Sequence, residues 1–170
     1  MRLVLVRHAI AEDAPPPGGS DDDRLLSEKG RRRFRAAARG LARLVPPFDR
    51  VLTSPLPRAA ETARILVSAF GLAIQPVPCD ALAPGGGIGK PLFSAVGEAA
   101  PEAVIALVGH EPLLSTLAAH LLSPDGTRVE IELKKGGVCV IDVASLPPPS
   151  GGLLLCLMTP RALRLAGRRR

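Results

Sequence analysis

The runs Leu3-Val4-Leu5-Val6 and Val104-Ile105-Ala106-Leu107-Val108 constrain the fold more than any other feature of this chain. Both are continuously apolar, with no polar residue at every second position. A strand of that kind is covered on both faces, so helices must lie above and below the sheet that holds it. Each run ends in polar chemistry. The first leads into Arg7-His8, and the second passes through Gly109 into His110. A third run, Asp49-Arg50-Val51-Leu52-Thr53, leads through Ser54-Pro55-Leu56-Pro57 to Arg58. In an open α/β sheet, ligands bind beyond the carboxyl ends of the strands. Three strand ends therefore offer Arg7, Arg58, His8 and His110 to one place.

The segments between these runs read mostly as helices. Ser27 is a helix N-cap, with Phe34, Ala38, Leu41 and Val45 following at helical spacing and Pro46-Pro47 as the stop. The other face of that helix carries Arg31, Arg32, Arg35, Arg39 and Arg43, which is either a solvated face or a dock for an acidic partner. Ser54-Pro55 reads as the cap and first turn of a second helix, with Ile65, Leu66 and Ala69 inward and Gly71 as its stop. Residues 73–77 read as a third, edge strand. A Gly-rich loop at 80–90 precedes a short helix from Pro91 to Ala99 and then the strand 103–108. Pro112 starts a helix that places Leu113, Leu114, Leu117 and Leu121 on one face. Residues 129–133 and 138–143 read as strands around the turn Lys134-Lys135-Gly136-Gly137, or as one longer strand broken there, and residues 153–158 as the last strand. Pro160 begins a C-terminal turn or helix. This alternation predicts one three-layer α/β/α domain, residues 1–166, with a mostly parallel central sheet and a basic tail at 167–170. The chain is expected to be a monomer or a weak dimer, with an edge strand near 138–143 as the place for self-association.

Composition narrows the function classes. Of 170 residues, 46% are apolar, but the only aromatics are four Phe, so the core must be aliphatic. The net charge of +6 allows an acidic partner, but there are few aromatics for base stacking and no nucleic-acid motif, so nucleic acid is not the expected ligand. Asp21-Asp22-Asp23, within the Pro/Gly/Asp-rich stretch 12–23, reads as a solvated loop. No apolar run is long enough to span a bilayer, and the N-terminal one is four residues followed by Arg-His, a strand rather than a signal peptide. No membrane association and a cytoplasmic location are the expectations. Cys79, Cys139 and Cys156 are isolated from one another and read as buried free thiols.

The strand-end cluster suits a phosphoryl group. A neutral imidazole is nucleophilic near neutral pH, since its ordinary pKa is about 6.5. It can accept a phosphoryl group and then lose it to water, which divides one difficult step into two. Arginines nearby hold the imidazole neutral, grip phosphoryl oxygens with forked donors, and offset charge building on those oxygens. Two histidines also raise a metal site as an alternative. No carboxylate or Cys stands at clear ligand spacing with them, and Arg7 would repel a cation, so no metal and no cofactor are expected.

Four ordered segments carry a family resemblance. They are Leu3-Val4-Leu5-Val6-Arg7-His8-Ala9, Asp23-Arg24-Leu25-Leu26-Ser27-Glu28-Lys29-Gly30, Thr53-Ser54-Pro55-Leu56-Pro57-Arg58-Ala59-Ala60-Glu61-Thr62 and Val108-Gly109-His110-Glu111-Pro112. Together they resemble the histidine phosphatase superfamily, the phosphoglycerate-mutase-like group. Lys134-Lys135-Gly136-Gly137 and Thr159-Pro160-Arg161-Ala162-Leu163 further resemble its SixA-type phosphohistidine phosphatases. The resemblance implies a phosphoglycerate-mutase-like fold, His8 as phosphoryl acceptor, and Arg7, Arg58 and His110 as the phosphate pocket.

The chain departs from that pattern twice. The common Arg-His-Gly is here Arg7-His8-Ala9, which alanine tolerates unless φ is positive. Many members also carry a Glu or Asp general acid after the third strand, where this chain reads Leu82-Ala83-Pro84-Gly85-Gly86. An alkoxide leaving group gains much from a positioned acid, whereas the P–N bond of phosphohistidine is labile and its imidazole can carry a proton on the other nitrogen. The expected activity is thus phosphohistidine hydrolysis on a protein such as a phosphotransfer domain. The alternatives are a metal-independent phosphatase of small phosphoesters and a non-catalytic phosphoprotein-binding module. Asp13, Glu12 and Glu111 remain candidate acids.

Overall fold

The computed structural model describes residues 1–97, 100, 102–125 and 129–168. Its strands are β1 (Arg2–Arg7), β2 (Arg50–Thr53), β3 (Val77–Pro78), β4 (Val104–Gly109), β5 (Val138–Asp142) and β6 (Leu153–Met158). The helices are α1 (Glu28–Leu41), α2 (Pro57–Ala69), α3 (Lys90–Val96), α4 (Leu113–Leu122) and α5 (Pro160–Ala166). The six strands form one sheet in the order β3-β2-β4-β1-β5-β6. The β1–β4, β2–β4 and β2–β3 pairs are parallel, while β5 runs antiparallel to both β1 and β6.

The unbroken apolar runs are buried on both faces as their composition demands. Val4, Val6, Val104, Ala106 and Val108 point into one core, built with Phe34, Ala38 and Leu41 of α1, Leu66 of α2 and Leu163 of α5. Leu3, Leu5, Ile105 and Leu107 point into the opposite core, with Leu92 of α3 and Leu114, Leu117 and Leu121 of α4. The helix after β1 therefore covers one face and the helix after β4 covers the other. Adjacent parallel strands whose helices diverge in this way leave a crevice at their carboxyl ends. Arg7 is in register with Gly109, so the residues that open the crevice are His8 and His110.

Glycines bring the layers close. A Cβ on Gly30 would lie 2.0 Å from the Ile10 carbonyl oxygen, and one on Gly40 would lie 1.8 Å from that of Leu163. The first contact seats α1 against the chain leaving β1, and the second lets α1 cross α5. Ser27 caps α1 as expected, its hydroxyl accepting from the Gly30 amide at 3.0 Å.

Several boundaries differ from the sequence reading. α1 stops at Leu41 rather than at the prolines, and its last turn tightens through Leu44 N–H to Leu41 O at 2.8 Å. The Val45-Pro46 junction disfavours helical backbone at Val45. Ser54 does not cap α2: its amide still bonds Val108 O across the sheet at 2.9 Å, and Pro57 takes the first helical position. The third strand is Val77–Pro78 rather than 73–77, and Pro76 and Pro78 cannot donate to a ladder. α3 ends before Gly97, so the expected extension to Ala99 falls on residues 98 and 99, outside the described residues. Residues 129–133 form no strand; Ile131 and Leu133 instead pack against the core beneath α4. The 138–143 strand is interior, between β1 and β6, so the exposed edge on that side is β6. Cys79 and Cys139 are buried free thiols, but Cys156, on β6, is only half-buried. In the basic tail, the Arg168 carbonyl accepts from Arg43, while Arg169 and Arg170 lie outside the described residues.

Candidate active site

The ends of β1, β2 and β4 bring all four expected residues together. His8, Arg58 and His110 are buried, with 6%, 4% and 3% of their surface exposed. The His8 and His110 rings lie 5.0 Å apart between centroids, tilted by 52°. Each backbone is tied down. The His8 amide donates to Gly109 O at 3.0 Å, and the Gly136 amide donates to both Arg7 O and His8 O at 3.1 and 3.0 Å. Gly136 can do this because its φ of 77° is open to glycine. Ala9 meets no such demand, since no residue other than glycine has positive φ among the described residues. The alanine at this position is therefore unstrained.

His8 is oriented by its own chain. Its Nδ1 lies 2.7 Å from the Ala9 carbonyl oxygen. A carbonyl only accepts, so Nδ1 carries the proton of the neutral ring and Nε2 keeps its lone pair. Burial holds the His8 pKa down to about 4, helped by the positive charges of Arg58, Arg7 and Lys135 and opposed by the Ala9 carbonyl. His110 is held down to about 3, first by burial, then by His8 and the same two arginines. Both imidazoles are thus neutral near neutral pH. His110 Nε2 sits 2.8 Å from Ser54 Oγ, which fixes its ring.

The two arginines are aimed by carbonyl oxygens. Arg7 Nη1 donates to Leu133 O at 2.8 Å. Arg58 Nη1 donates to Asp21 O at 2.8 Å and Asp22 O at 3.3 Å, and its Nη2 lies 3.6 Å from the Asp21 carboxylate. Both Nε atoms are buried donors without a protein acceptor. Buried guanidinium donors of this kind are the complement of phosphoryl oxygens.

The acidic cluster is therefore not simply a solvated loop. Its 3₁₀ turn, Asp21–Asp23, folds over α2 and turns its first two carbonyls onto Arg58. Arg24 braces the same loop through Glu12 O at 3.0 Å and the Asp21 carboxylate at 2.8 Å. Three further residues support the site without having been singled out in the sequence. Ser54 holds His110. Thr62 accepts from the Ala9 amide at 3.1 Å and donates to Arg58 O at 2.7 Å, tying α2 to the residue that follows His8. Lys135 adds positive charge beside His8. The only sequence signals were proximity: Ser54 directly follows a strand, and Thr62 stands one helical turn past Arg58.

The candidate acids are not gathered in this way. Glu12 and Asp13 are exposed on the loop after β1. Glu111 follows His110 directly, but one carboxylate oxygen accepts from Ser115 while the other is buried without a partner. No group of three or more His, Cys, Asp or Glu residues is placed to hold a metal ion among the described residues.

Fold and site define an α/β enzyme built to handle a phosphoryl group at a strand-end histidine. Residues 3–82 match the family model for the histidine phosphatase superfamily, branch 1. The chain belongs to that superfamily and is a phosphatase. An uncharacterized protein from Picosynechococcus sp. (strain ATCC 27264 / PCC 7002 / PR-6) is 40% identical over 139 residues, covering 81% of this chain and 82% of its own. The fold is similar to that of the protein histidine phosphatase SixA solved with tungstate, with a TM-score of 0.80 and 24% identity over 96% of this chain and 99% of that one. A candidate phosphohistidine phosphatase SixA from Nakamurella multipartitia matches at TM-score 0.73 and 25% identity, covering 94% and 95% of the two chains. A mycobacterial glucosyl-3-phosphoglycerate phosphatase matches at TM-score 0.70 and 20% identity, covering 93% and 99%.

Proposed function

We propose that this phosphatase removes phosphate from phosphohistidine on a protein, through a phosphoryl intermediate on His8. Nε2 of neutral His8 attacks phosphorus, the P–N bond to the substrate imidazole breaks, and water then takes the phosphoryl group from His8. Arg7, Arg58 and His110 hold the equatorial oxygens. The observation that carries the substrate class is the acid-poor surround of His8. Among the described residues, no carboxylate is hydrogen-bonded to either site histidine, and Glu12 and Asp13 stand exposed on a loop. Phosphoimidazole, whose leaving group can already carry a proton, needs such an acid least. The likeness to SixA-type structures agrees with this reading. Free cysteines fit a reducing compartment, and a cytoplasmic location is part of this proposal.

One observation favours small phosphoesters instead: the buried, unpartnered oxygen of Glu111 beside His110. Phosphate release from a histidine-phosphorylated phosphotransfer domain, beside release from a small aryl phosphate ester, separates the two. Fast release from the protein, slow release from the ester and loss of both in His8→Ala is the expected result. Efficient ester turnover with the phosphoprotein untouched would overturn the phosphohistidine reading. Unchanged phosphoprotein binding and biological effect in His8→Ala would mark a binding module.

A further inference from the structure

Beside the phosphate pocket, and sharing Ala9, Lys135 and Gly136 with the support of His8, lies a second cleft of about 350 Å³. Its wall runs along Ala9 and Gly136, two of the residues whose backbone atoms hold His8 in place. Phe34 and Pro160 supply an apolar floor. Around it stand Arg33 of α1, Lys134 and Lys135 of the loop before β5, and Arg161 and Arg164 of α5. No carboxylate lines the cleft. Lys134 is paired with Glu132, but Arg33, Lys135, Arg161 and Arg164 have no carboxylate partner among the described residues. The arginines expected to recruit a partner from α1 lie elsewhere. Arg31 is paired with Glu61 at 2.5 Å, and Arg35 and Arg39 face the groove towards α2.

We infer that this cleft docks an acidic, partly apolar segment of the phosphohistidine-bearing protein, an inference that rests on the protein-substrate reading above. Charge complementarity selects the occupant. Cations from three separate chain segments, ringed around an apolar floor, match carboxylates flanking an apolar side chain. A free phosphate would leave the floor unfilled. Nucleic acid would find a single aromatic ring, Phe34, and no second one to stack on. The cleft adjoins the backbone of the nucleophile, so a segment seated there carries its own phosphohistidine towards His8. The cations act mainly on encounter and residence rather than on the chemical step.

The test uses the full chain carrying Arg33→Glu, Arg161→Glu and Arg164→Glu, none of which belongs to the phosphate pocket. Its kinetics are compared with the native chain on a histidine-phosphorylated phosphotransfer domain and on an aryl phosphate ester. The expected result is a KM for the phosphoprotein raised about tenfold or more with kcat retained, a weaker salt dependence, and unchanged ester turnover. Ester turnover also reports folding. Should the triple variant fold poorly, Arg161→Gln with Arg164→Gln is expected to give a smaller KM rise in the same direction. Native-like KM for the phosphoprotein in a folded variant overturns the docking site and leaves the phosphohistidine reading standing. A native enzyme that turns over the ester but never the phosphoprotein overturns that reading, and the docking site with it.

Discussion

Burying two neutral imidazoles side by side should make this protein sensitive to mild acid, and His8→Asn isolates the share of one of them. The unfolded chain carries His8 with an ordinary pKa near 6.5, whereas the folded chain holds it at about 4. A histidine pKa depressed by folding means that the unfolded state binds the proton first. Its contribution to stability is complete above the unfolded value, is lost as pH falls through that interval, and levels off below the folded value. Moving from about pH 7 to about pH 5 should therefore cost the native protein about 2 kcal/mol through His8 alone. Asparagine does not titrate, so His8→Asn should escape that loss. Urea unfolding of both proteins across this interval measures it: the stability difference between native and variant should shift by about 2 kcal/mol in the variant's favour towards acid. Parallel curves would refute the reasoning, because they would mean that the His8 ring is solvated enough to protonate normally. Asp142, whose carboxylate is held down by its hydrogen bond to Arg2, also sheds stability in acid, but it does so equally in both proteins.

The remaining predictions concern packing and support. Ser54→Ala removes the 2.8 Å partner of a buried histidine nitrogen, and should lower stability by about 1 to 3 kcal/mol in urea unfolding, with Ser54→Thr recovering part of it. Gly40→Ala would normally favour a helix, but here its Cβ meets the Leu163 carbonyl oxygen at 1.8 Å. It should lower stability by about 1 to 3 kcal/mol through separation of α1 from α5, while Arg32→Ala on the exposed face of the same helix leaves thermal unfolding nearly unchanged.

The central sheet and its four site residues were legible because the signal is local and redundant. Residues 3–6 and 104–108 can only be strands covered twice, and each hands its terminal histidine to the same edge. What the sequence concealed was set by contacts between distant segments. Residues 129–133 have strand-like composition, yet Leu133 uses its carbonyl to hold Arg7 and its side chain to fill a core, and neither demand shows in a local pattern. Ser54-Pro55 has the chemistry of a cap, but Ser54 is claimed by Val108 and His110 from across the sheet, so the helix begins at Pro57. Asp21 and Asp22 hold Arg58 through their carbonyls, a role blind to side-chain type, and Asp21 adds its carboxylate at 3.6 Å only once the loop has folded back.

The candidate acids show the same limit and bear on the substrate. Glu111 adjoins His110 in sequence, yet its neighbour in the fold is Ser115 on the next turn, which occupies one of its oxygens. A general acid must reach the leaving atom on the side of phosphorus opposite Nε2 of His8. That side is bordered by whatever covers the crevice, and the stretch after β3 that could supply cover forms only a single 3₁₀ turn, Asp80–Leu82, and a Gly-rich loop. A small ester would depend at such a site on Glu111 or on a proton of its own. A phosphohistidine presented by a protein surface brings both the proton, on its second nitrogen, and the cover.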